Sequence, residues 1–315
     1  MKKNANRKLL VLCLTFVCLV YCNEQSIVDL EVDLPEKTSL PADGQYDLYP
    51  DWHPNGQMLI FLSFDSSLIN TLEDDPPFAL SFQTGAVAGV VKEYDLESLK
   101  LVDLIDKSYG PLYCKYSAGG DTIVYCRKEE KSTEIWIYDV TKKSHTRIFT
   151  GEHHVFLPQW SPDGKYIAVL SDKSFIILDA LDFTVEHQIE TDLTVHSFTW
   201  HPLENKIIFS AASDMDFYLY EYDLENNSTG CLSDCSLKGV WPDMSMLSHI
   251  GSPFDGVQIA FQAGDDIVVT SLRELSLTKV VANGRTPSWS PDGRKLVYSQ
   301  NGHIEIDTIW IDING

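Results

Sequence analysis

One short pattern recurs six times along the 315 residues of the chain and restricts the folds that it can adopt. In its clearest copy an apolar run ends at Trp160, a Ser-Pro-Asp-Gly turn follows, and a second apolar run begins at Tyr166. The residue that opens the turn is Ser or His in every copy, at positions 53, 117, 161, 201, 252 and 290. Proline presets the backbone of such a turn and Asp-Gly provides the reversal, so each copy predicts a β-hairpin.

A third apolar run follows most of the hairpins and ends in aspartate. It ends at Asp139, Asp223 and Asp312, each 23 residues after the aromatic residue that precedes the turn, and a shorter version ends at Asp179. A more variable fourth run comes next. Short β-branched and aromatic runs between Gly, Pro and Asp turns indicate antiparallel strands, and four strands in about 40 to 45 residues make one propeller blade. The sequence therefore predicts an all-β fold, a six-bladed β-propeller of four-stranded antiparallel blades over residues 41–315.

The sixth blade lacks a fourth strand, because only Asn314 and Gly315 remain after its third predicted run. Residues 26–33 alternate apolar and acidic side chains in the manner of a strand. We therefore predict that the N-terminal segment 23–40 supplies the outer strand of the last blade. Such a strand would close the ring and protect an exposed sheet edge.

The first 22 residues differ from the rest and predict export. Four basic residues precede the 14-residue apolar run 9–22, which is short for a membrane span. The alternative is an anchor that stays uncleaved. The end of the run, Leu19-Val20-Tyr21-Cys22, resembles the lipobox of bacterial lipoproteins, although Tyr21 stands where a small residue is usual. That resemblance implies a lipid on Cys22, which would hold the protein at a membrane. Without the lipid, the exported protein would be free in the periplasm.

The charge of the chain argues against a nucleic-acid partner. The formal net charge is −22, and removal of the four basic residues of segment 1–22 leaves 20 Lys and Arg against 46 Asp and Glu, a balance of −26. Such an acidic protein repels phosphate backbones. A protein partner or a cationic partner is expected instead.

Four cysteines lie beyond the signal segment, an even number that suits an oxidising compartment. Cys114 and Cys126 flank one hairpin and could pair across it, and Cys231 and Cys235 could close a small loop. The alternative is four free, partly buried thiols. The spacing of the second pair, without a nearby histidine pair, disfavours zinc.

The repeats resemble those of TolB-type propellers from bacterial envelope proteins, in their Trp-Ser-Pro-Asp-Gly turns and in the Ile-Trp-x-x-Asp strands. The resemblance covers nearly all of the chain from Pro41 to Ile313. The same repeat occurs in the Tol–Pal translocation protein, in prolyl oligopeptidase-like peptidases and in oligogalacturonate lyases. The α/β domain of the first and the Gly-x-Ser-x-Gly elbow of the second have no counterpart in this sequence. The resemblance implies a propeller fold and leaves the function open.

Propellers place function at the mouth of the central channel, where the innermost strands begin. Two charged residues, Asp47 and Arg285, are predicted at this mouth. Histidines of neighbouring blades could meet there and hold a divalent metal, as in the lyase relatives; they are His153, His154, His196 and His249. The alternative is a polar channel lining without a cofactor. Asp163, Asp292 and Asn55 are interpreted as turn residues, and no catalytic residue is assigned.

The function that follows is an exported, non-catalytic platform that binds envelope proteins. An insertion in the first blade, residues 66–86, and the irregular stretch 231–246 are candidate binding loops. A metal-dependent polysaccharide lyase of the oligogalacturonate type, built on the four histidines, is the enzymatic alternative. A sensor that holds a small ligand or calcium in the channel is the third hypothesis.

Overall fold

The computed structural model of the protein describes residues 37–41, 45–66, 89–129, 132–151, 154–171, 174–213, 216–247, 256–272 and 278–309. These residues form six four-stranded antiparallel sheets, arranged as the blades of a β-propeller. The predicted fold class is therefore confirmed. Within the described ranges, the structure contains no helix with the length and apolar character needed to cross a membrane.

The first three blades follow the chain in order, from the innermost to the outermost strand. Blade one consists of β2 (Gln45–Trp52), β3 (Met58–Asp65), β4 (Val90–Asp95) and β5 (Lys100–Ile105). Blade two consists of β6 (Pro111–Tyr116), β7 (Thr122–Lys128), β8 (Thr133–Asp139) and β9 (Ser144–Thr150). Blade three consists of β10 (Val155–Trp160), β11 (Tyr166–Ser171), β12 (Ser174–Asp179) and β13 (Val185–Glu190).

The remaining blades repeat this order, and the last one also uses a strand from the start of the chain. Blade four consists of β14 (Thr194–Trp200), β15 (Lys206–Ser213), β16 (Asp216–Asp223) and β17 (Ser228–Cys231). Blade five consists of β18 (Val240–Leu247), β19 (Gly256–Ala263), β20 (Asp266–Ser271) and β21 (Thr278–Val281). Blade six consists of β22 (Gly284–Trp289), β23 (Lys295–Gln300), β24 (His303–Thr308) and, outermost, β1 (Thr38–Ser39).

The ring is closed by β1, as the sequence predicted for an N-terminal strand. Thr38 pairs with Ile306 and Ser39 with Glu305, and the N–H of Leu40 donates to the carbonyl of Ile304 at 3.0 Å. The segment 26–33, which the sequence favoured for this strand, lies outside the described residues. Residues 1–22, predicted as an export signal that ends at Cys22, also lie outside the described residues.

The third strand of blade six was predicted wrongly. The prediction placed it at the run that ends at Asp312, whereas the structure pairs β23 with β24, so that Lys295 faces Thr308. The two strands are joined by Asn301-Gly302, both with positive φ (52° and 79°), which is the two-residue hairpin turn favoured by strand twist. This tight turn places the strand end 19 residues after Trp289, the spacing of blade three.

The recurring turn residues serve the turns, as interpreted from the sequence. In blade three, Ser161 Oγ donates to Asp163 Oδ1 at 2.7 Å and accepts the N–H of Tyr166 at 2.9 Å. Gly164 adopts φ 71°, which a side chain would strain. Blade six repeats the same network around Ser290 and Asp292. These carboxylates stabilise backbone turns by local hydrogen bonds.

The hydrophobic core lies between neighbouring blades. Five clusters of buried apolar side chains follow one another around the ring. The cluster between blades six and one joins Leu40, Trp52 and Phe61 to Val297 and Ile304. Burial of each sheet face therefore depends on the next blade, which is why the ring must be closed.

The four cysteines separate into two kinds. Cys231 and Cys235 form a disulfide that closes a short loop at the edge of blade four. Cys114 and Cys126 are free and buried, so a disulfide between them is not found. The reason is register: Cys126 pairs with Leu112, while Cys114 lies in a bulge and packs in the cluster on the other face of the blade.

Candidate functional site

The central channel has two ends with different geometry. Each innermost strand begins at one face of the ring, which we call the entry face. It ends at the opposite face, which we call the Trp-turn face, and in five blades the aromatic residue and the turn described above lie there. In blade five Met244 replaces the aromatic residue, and the turn lies outside the described residues. The first-blade insertion, residues 66–86, lies almost wholly outside the described residues; the strands that it joins, β3 and β4, meet at the entry face.

A bulge interrupts each of the six innermost strands in mid-channel. In five blades the bulged residue has a positive φ of 49° to 55°, a conformation that costs free energy for a side-chain-bearing residue. In blade four the bulge contains one residue fewer than in the other blades, and His196 is the bulged residue. We call these six residues the bulge ring; they are Tyr49, Tyr113, Leu157, His196, Trp241 and Thr286.

Aromatic side chains of the bulge ring meet across the channel. The rings of Tyr49 and Trp241, from blades one and five, lie 5.2 Å apart, and Tyr49 and Tyr113 lie 5.0 Å apart. His196 contacts Trp241 edge to face at 5.2 Å. Burial lowers the pKa of His196 to about 4, so this imidazole is neutral at pH 7. The bulge ring therefore narrows the channel with mainly apolar groups.

One step closer to the Trp-turn face, a second ring is polar. Each blade contributes the residue that directly precedes its aromatic residue. In blade five Met244 stands in the place of the aromatic residue, so the member of the ring is the residue before Met244. We call it the floor ring; its members are Asp51, Lys115, Gln159, Thr199, Asp243 and Ser288.

Floor-ring side chains connect each of three blades to the next. Lys115 Nζ lies 2.9 Å from Asp51 Oδ1, while Asp51 Oδ2 accepts the N–H of Tyr116 at 2.9 Å. Asp243 Oδ2 accepts the N–H of Trp289 at 2.7 Å. Gln159 Nε2 donates to the carbonyl of Phe198 at 2.7 Å. The polar groups therefore stabilise the ring as well as line its channel.

The floor ring contains two carboxylates and one ammonium among its described members. Burial raises the pKa of Asp243 to about 6, although Lys115 and the Trp289 N–H lower it in part. Burial alone would lower the pKa of Lys115, but the carboxylates of Asp51 and Asp243 outweigh burial and raise it. The floor therefore has a net negative charge above pH 6.

A wide cavity opens from the floor ring to the Trp-turn face. We call it the funnel; its volume is about 410 Å³, against about 50 Å³ for the space between the two rings. Its walls include four tryptophans, Trp52, Trp160, Trp200 and Trp289. Its rim is formed by turn prolines and one methionine, namely Pro54, Pro162, Pro202, Pro291 and Met246.

Three of the residues predicted for the channel mouth, Asp47, His154 and Arg285, lie on the entry-face side of the bulge ring, and His196 is a member of that ring. Asp47 and Arg285 belong to β2 and β22, and His154 directly precedes β10 and stacks on Phe156 at 6.4 Å. His153 and His249 lie outside the described residues. Among the described residues, no three His, Cys, Asp or Glu side chains gather as metal ligands. The metal site stays a prediction.

Sequence reasoning missed the floor ring and the funnel. A signal was present: in four blades a proline stands two residues before the aromatic residue or its equivalent, at Pro50, Pro158, Pro242 and Pro287. Proline inside a strand marks a bulge or an edge. The stretch around Trp241, interpreted as an irregular loop, is one of these bulged innermost strands.

Together these features define a six-bladed β-propeller with a channel that is narrow at mid-depth and opens as a funnel on one face. No protein-family model matches the sequence, and no curated protein matches it either. Solved structures do match, and the fold is TolB-like.

Three of these structures illustrate the range of proteins with this fold. TolB from Acinetobacter baumannii is 15% identical, with a TM-score of 0.56, over 86% of this chain and 65% of the TolB chain. An auxiliary nutrient binding protein from Bacteroides thetaiotaomicron is 10% identical, with a TM-score of 0.58, over 84% and 69%. An oligogalacturonate lyase in complex with manganese is 12% identical, with a TM-score of 0.51, over 88% and 94%. At these identities the likeness is one of fold.

Proposed function

We propose that the protein is an exported, non-catalytic platform that binds a protein partner in the cell envelope through its Trp-turn face. The proposal includes the export signal of residues 1–22 and attachment to a membrane by a lipid on Cys22. The fold is TolB-like, and one solved protein with a similar fold is by its name an auxiliary nutrient binding protein, which supports a binding role.

The distribution of exposed apolar side chains carries this proposal. Seven large apolar residues are exposed among the described residues, and five of them lie at or next to the Trp-turn face: Leu99, Leu181, Val185, Leu203 and Met246. Leu181 is 91% exposed and Leu99 69%, both in turns between third and fourth strands. Exposed apolar groups concentrated on one face are typical of a protein-binding surface.

The polar groups of the channel support a binding role rather than catalysis. The carboxylates of Asp51 and Asp243 accept backbone N–H groups of the next blade, which is a structural use. The strong negative charge of the chain favours a partner with a basic surface.

Site-specific photo-crosslinking tests the face that binds. A photoreactive amino acid at Leu99, Leu181 or Leu203 should give covalent adducts with a partner protein in cells that express the chain. Matched positions on the outer strand of blade three (Gln188) and on the entry face (Asp192) should give none, because both are exposed but lie away from the Trp-turn face. Equal labelling from all five positions, or no adduct from any, would contradict the proposal.

The membrane attachment is tested separately by Cys22→Ala. The substituted chain should move from the membrane fraction to the soluble fraction after cell lysis, because it lacks the lipid acceptor. If the two chains distribute alike, the lipid is not the attachment.

A further inference from the structure

The funnel combines an apolar wall with a charged floor. A ligand that reaches the floor must pass the proline rim and the tryptophan side chains, so its outer part is in contact with apolar groups. Its inner end faces Asp51, Lys115 and Asp243. A long side chain with an apolar stem and a polar tip matches this arrangement.

The charge of the floor selects the sign of that tip. Lys115 Nζ is already paired with Asp51 Oδ1 at 2.9 Å. Of the two floor-ring carboxylates, Asp243 is therefore the one that has no direct ion pair among the described residues. Asp243 Oδ1 contacts only Thr199 Oγ1, at 3.5 Å, within the described part of the chain, and so can accept another hydrogen bond. An anionic tip would meet a net negative floor, whereas a cationic tip would neutralise it.

We infer that the funnel binds the side chain of a lysine or arginine that a partner protein inserts from the Trp-turn face, with Asp243 as its counter-ion. The inference rests on the proposed function, since it names the chemistry by which the platform recognises its partner. The exposed leucines of the same face would hold the flanking residues of the inserted segment.

A blocked pentapeptide with a central arginine between glycines is a suitable probe, with the same peptide containing citrulline as its neutral control. Calorimetric titration of the purified protein at pH 7.5 should show at least about tenfold tighter binding of the arginine peptide, because citrulline keeps the shape and loses the charge. Fluorescence of the funnel tryptophans gives an independent measurement.

Two variants separate the floor from the rest of the charged surface. Asp243→Asn keeps the hydrogen bond to the Trp289 N–H and removes the charge, and should weaken the arginine peptide about tenfold. Asp216→Asn makes the same change in charge at an exposed entry-face site, paired there with Lys238, and should have an effect of less than about twofold.

The pH dependence provides a second readout. Asp51 and Lys115 are the charged groups that face Asp243 among the described residues. Since the pKa of Asp243 is about 6, most of its charge is lost at pH 5, and affinity for the arginine peptide should fall about tenfold from its value at pH 7.5. Affinity for the citrulline peptide should stay constant.

Equal affinity for the two peptides, or no effect of Asp243→Asn, would overturn the inference. The platform itself would still stand if crosslinks form from Leu99, Leu181 and Leu203, and would fail without them. If butylguanidinium binds as tightly as the arginine peptide, the funnel is a site for a small cation. That result would overturn the inference that a partner protein inserts a side chain there.

Discussion

Replacement of Leu40 by Asp should destabilise the protein by about 4 kcal/mol and lower its melting temperature by about 10 °C. Leu40 is 6% exposed and packs in the cluster that joins blades six and one. The substitution removes this apolar contact and places a carboxylate among Trp52, Ile304 and their neighbours. Because Leu40 follows β1 directly, its replacement also weakens the pairing of β1 with β24. Calorimetry or circular dichroism measures the midpoint.

Lys37→Ala is the matched control for this change. Lys37 precedes the same strand, but its side chain is 40% exposed and its ion pair with Glu305 is long, at 3.8 Å. Surface pairs of this kind contribute less than about 1 kcal/mol. If Leu40→Asp melts within 2 °C of the wild type, another segment must close the ring, and residues 26–33 would again be the first candidate.

Replacement of Lys115 by Met should cost about 2 to 3 kcal/mol at pH 8 and clearly less at pH 5. The substitution leaves Asp51 and Asp243 at the channel floor without their cation, and an unpaired buried carboxylate is costly. The figure is below that of a fully buried pair, because the side chains of Lys115 and Asp51 retain 26% and 14% exposure. Urea unfolding followed by tryptophan fluorescence gives the free energy at each pH.

The direction of the pH effect follows from Asp243. Its pKa in the folded state, about 6, is above the ordinary carboxyl value, so the stability it contributes is present at low pH and is lost as pH rises through 6. Without Lys115 the pKa rises further, and more stability is lost by pH 8. The difference between wild type and variant should therefore grow from pH 5 to pH 8.

Two further variants identify the cause. Lys115→Met combined with Asp51→Asn should recover a large part of the loss, because the carboxylate without its partner is also removed. Lys142→Met removes a lysine that is 77% exposed and paired with Asp139 on the surface, and should leave the free energy of unfolding unchanged within the error of the measurement. A loss from Lys115→Met that is equal at both pH values would indicate lost packing and contradict the electrostatic explanation.

The sequence predicted the blades well because their signals are local. Each Ser-Pro-Asp-Gly-type turn fixes a hairpin by contacts within about six residues, such as those of Ser161 and Asp163. The third strand of blade six shows where this reasoning failed. Residues 308–312 have the composition of a third strand, and composition does not fix register. The Asn301-Gly302 turn was the stronger local signal.

The site could not be predicted in the same way. The floor ring is assembled from six residues in six blades, and Asp51 and Asp243 are 192 positions apart. Its members differ in chemistry, so no repeat in residue type reveals them. Prolines two positions before the aromatic residue could have located the bulges, yet the meeting of Lys115 with Asp51 depends on how the closed ring brings neighbouring blades together. The histidines chosen from the sequence were not in equivalent positions, and blade four alone places one, His196, in the bulge ring.

The short closing strand has a mechanical consequence. Tension applied to the chain at Lys37 would reach the ring first at the two paired residues of β1, on the outer edge of blade six. A pull directed away from that edge would unzip these hydrogen bonds one after another, whereas a pull along the strand would load them together. The ring would thus yield under force at blade six, while the other five blades, each built from one continuous stretch of chain, would remain unstretched.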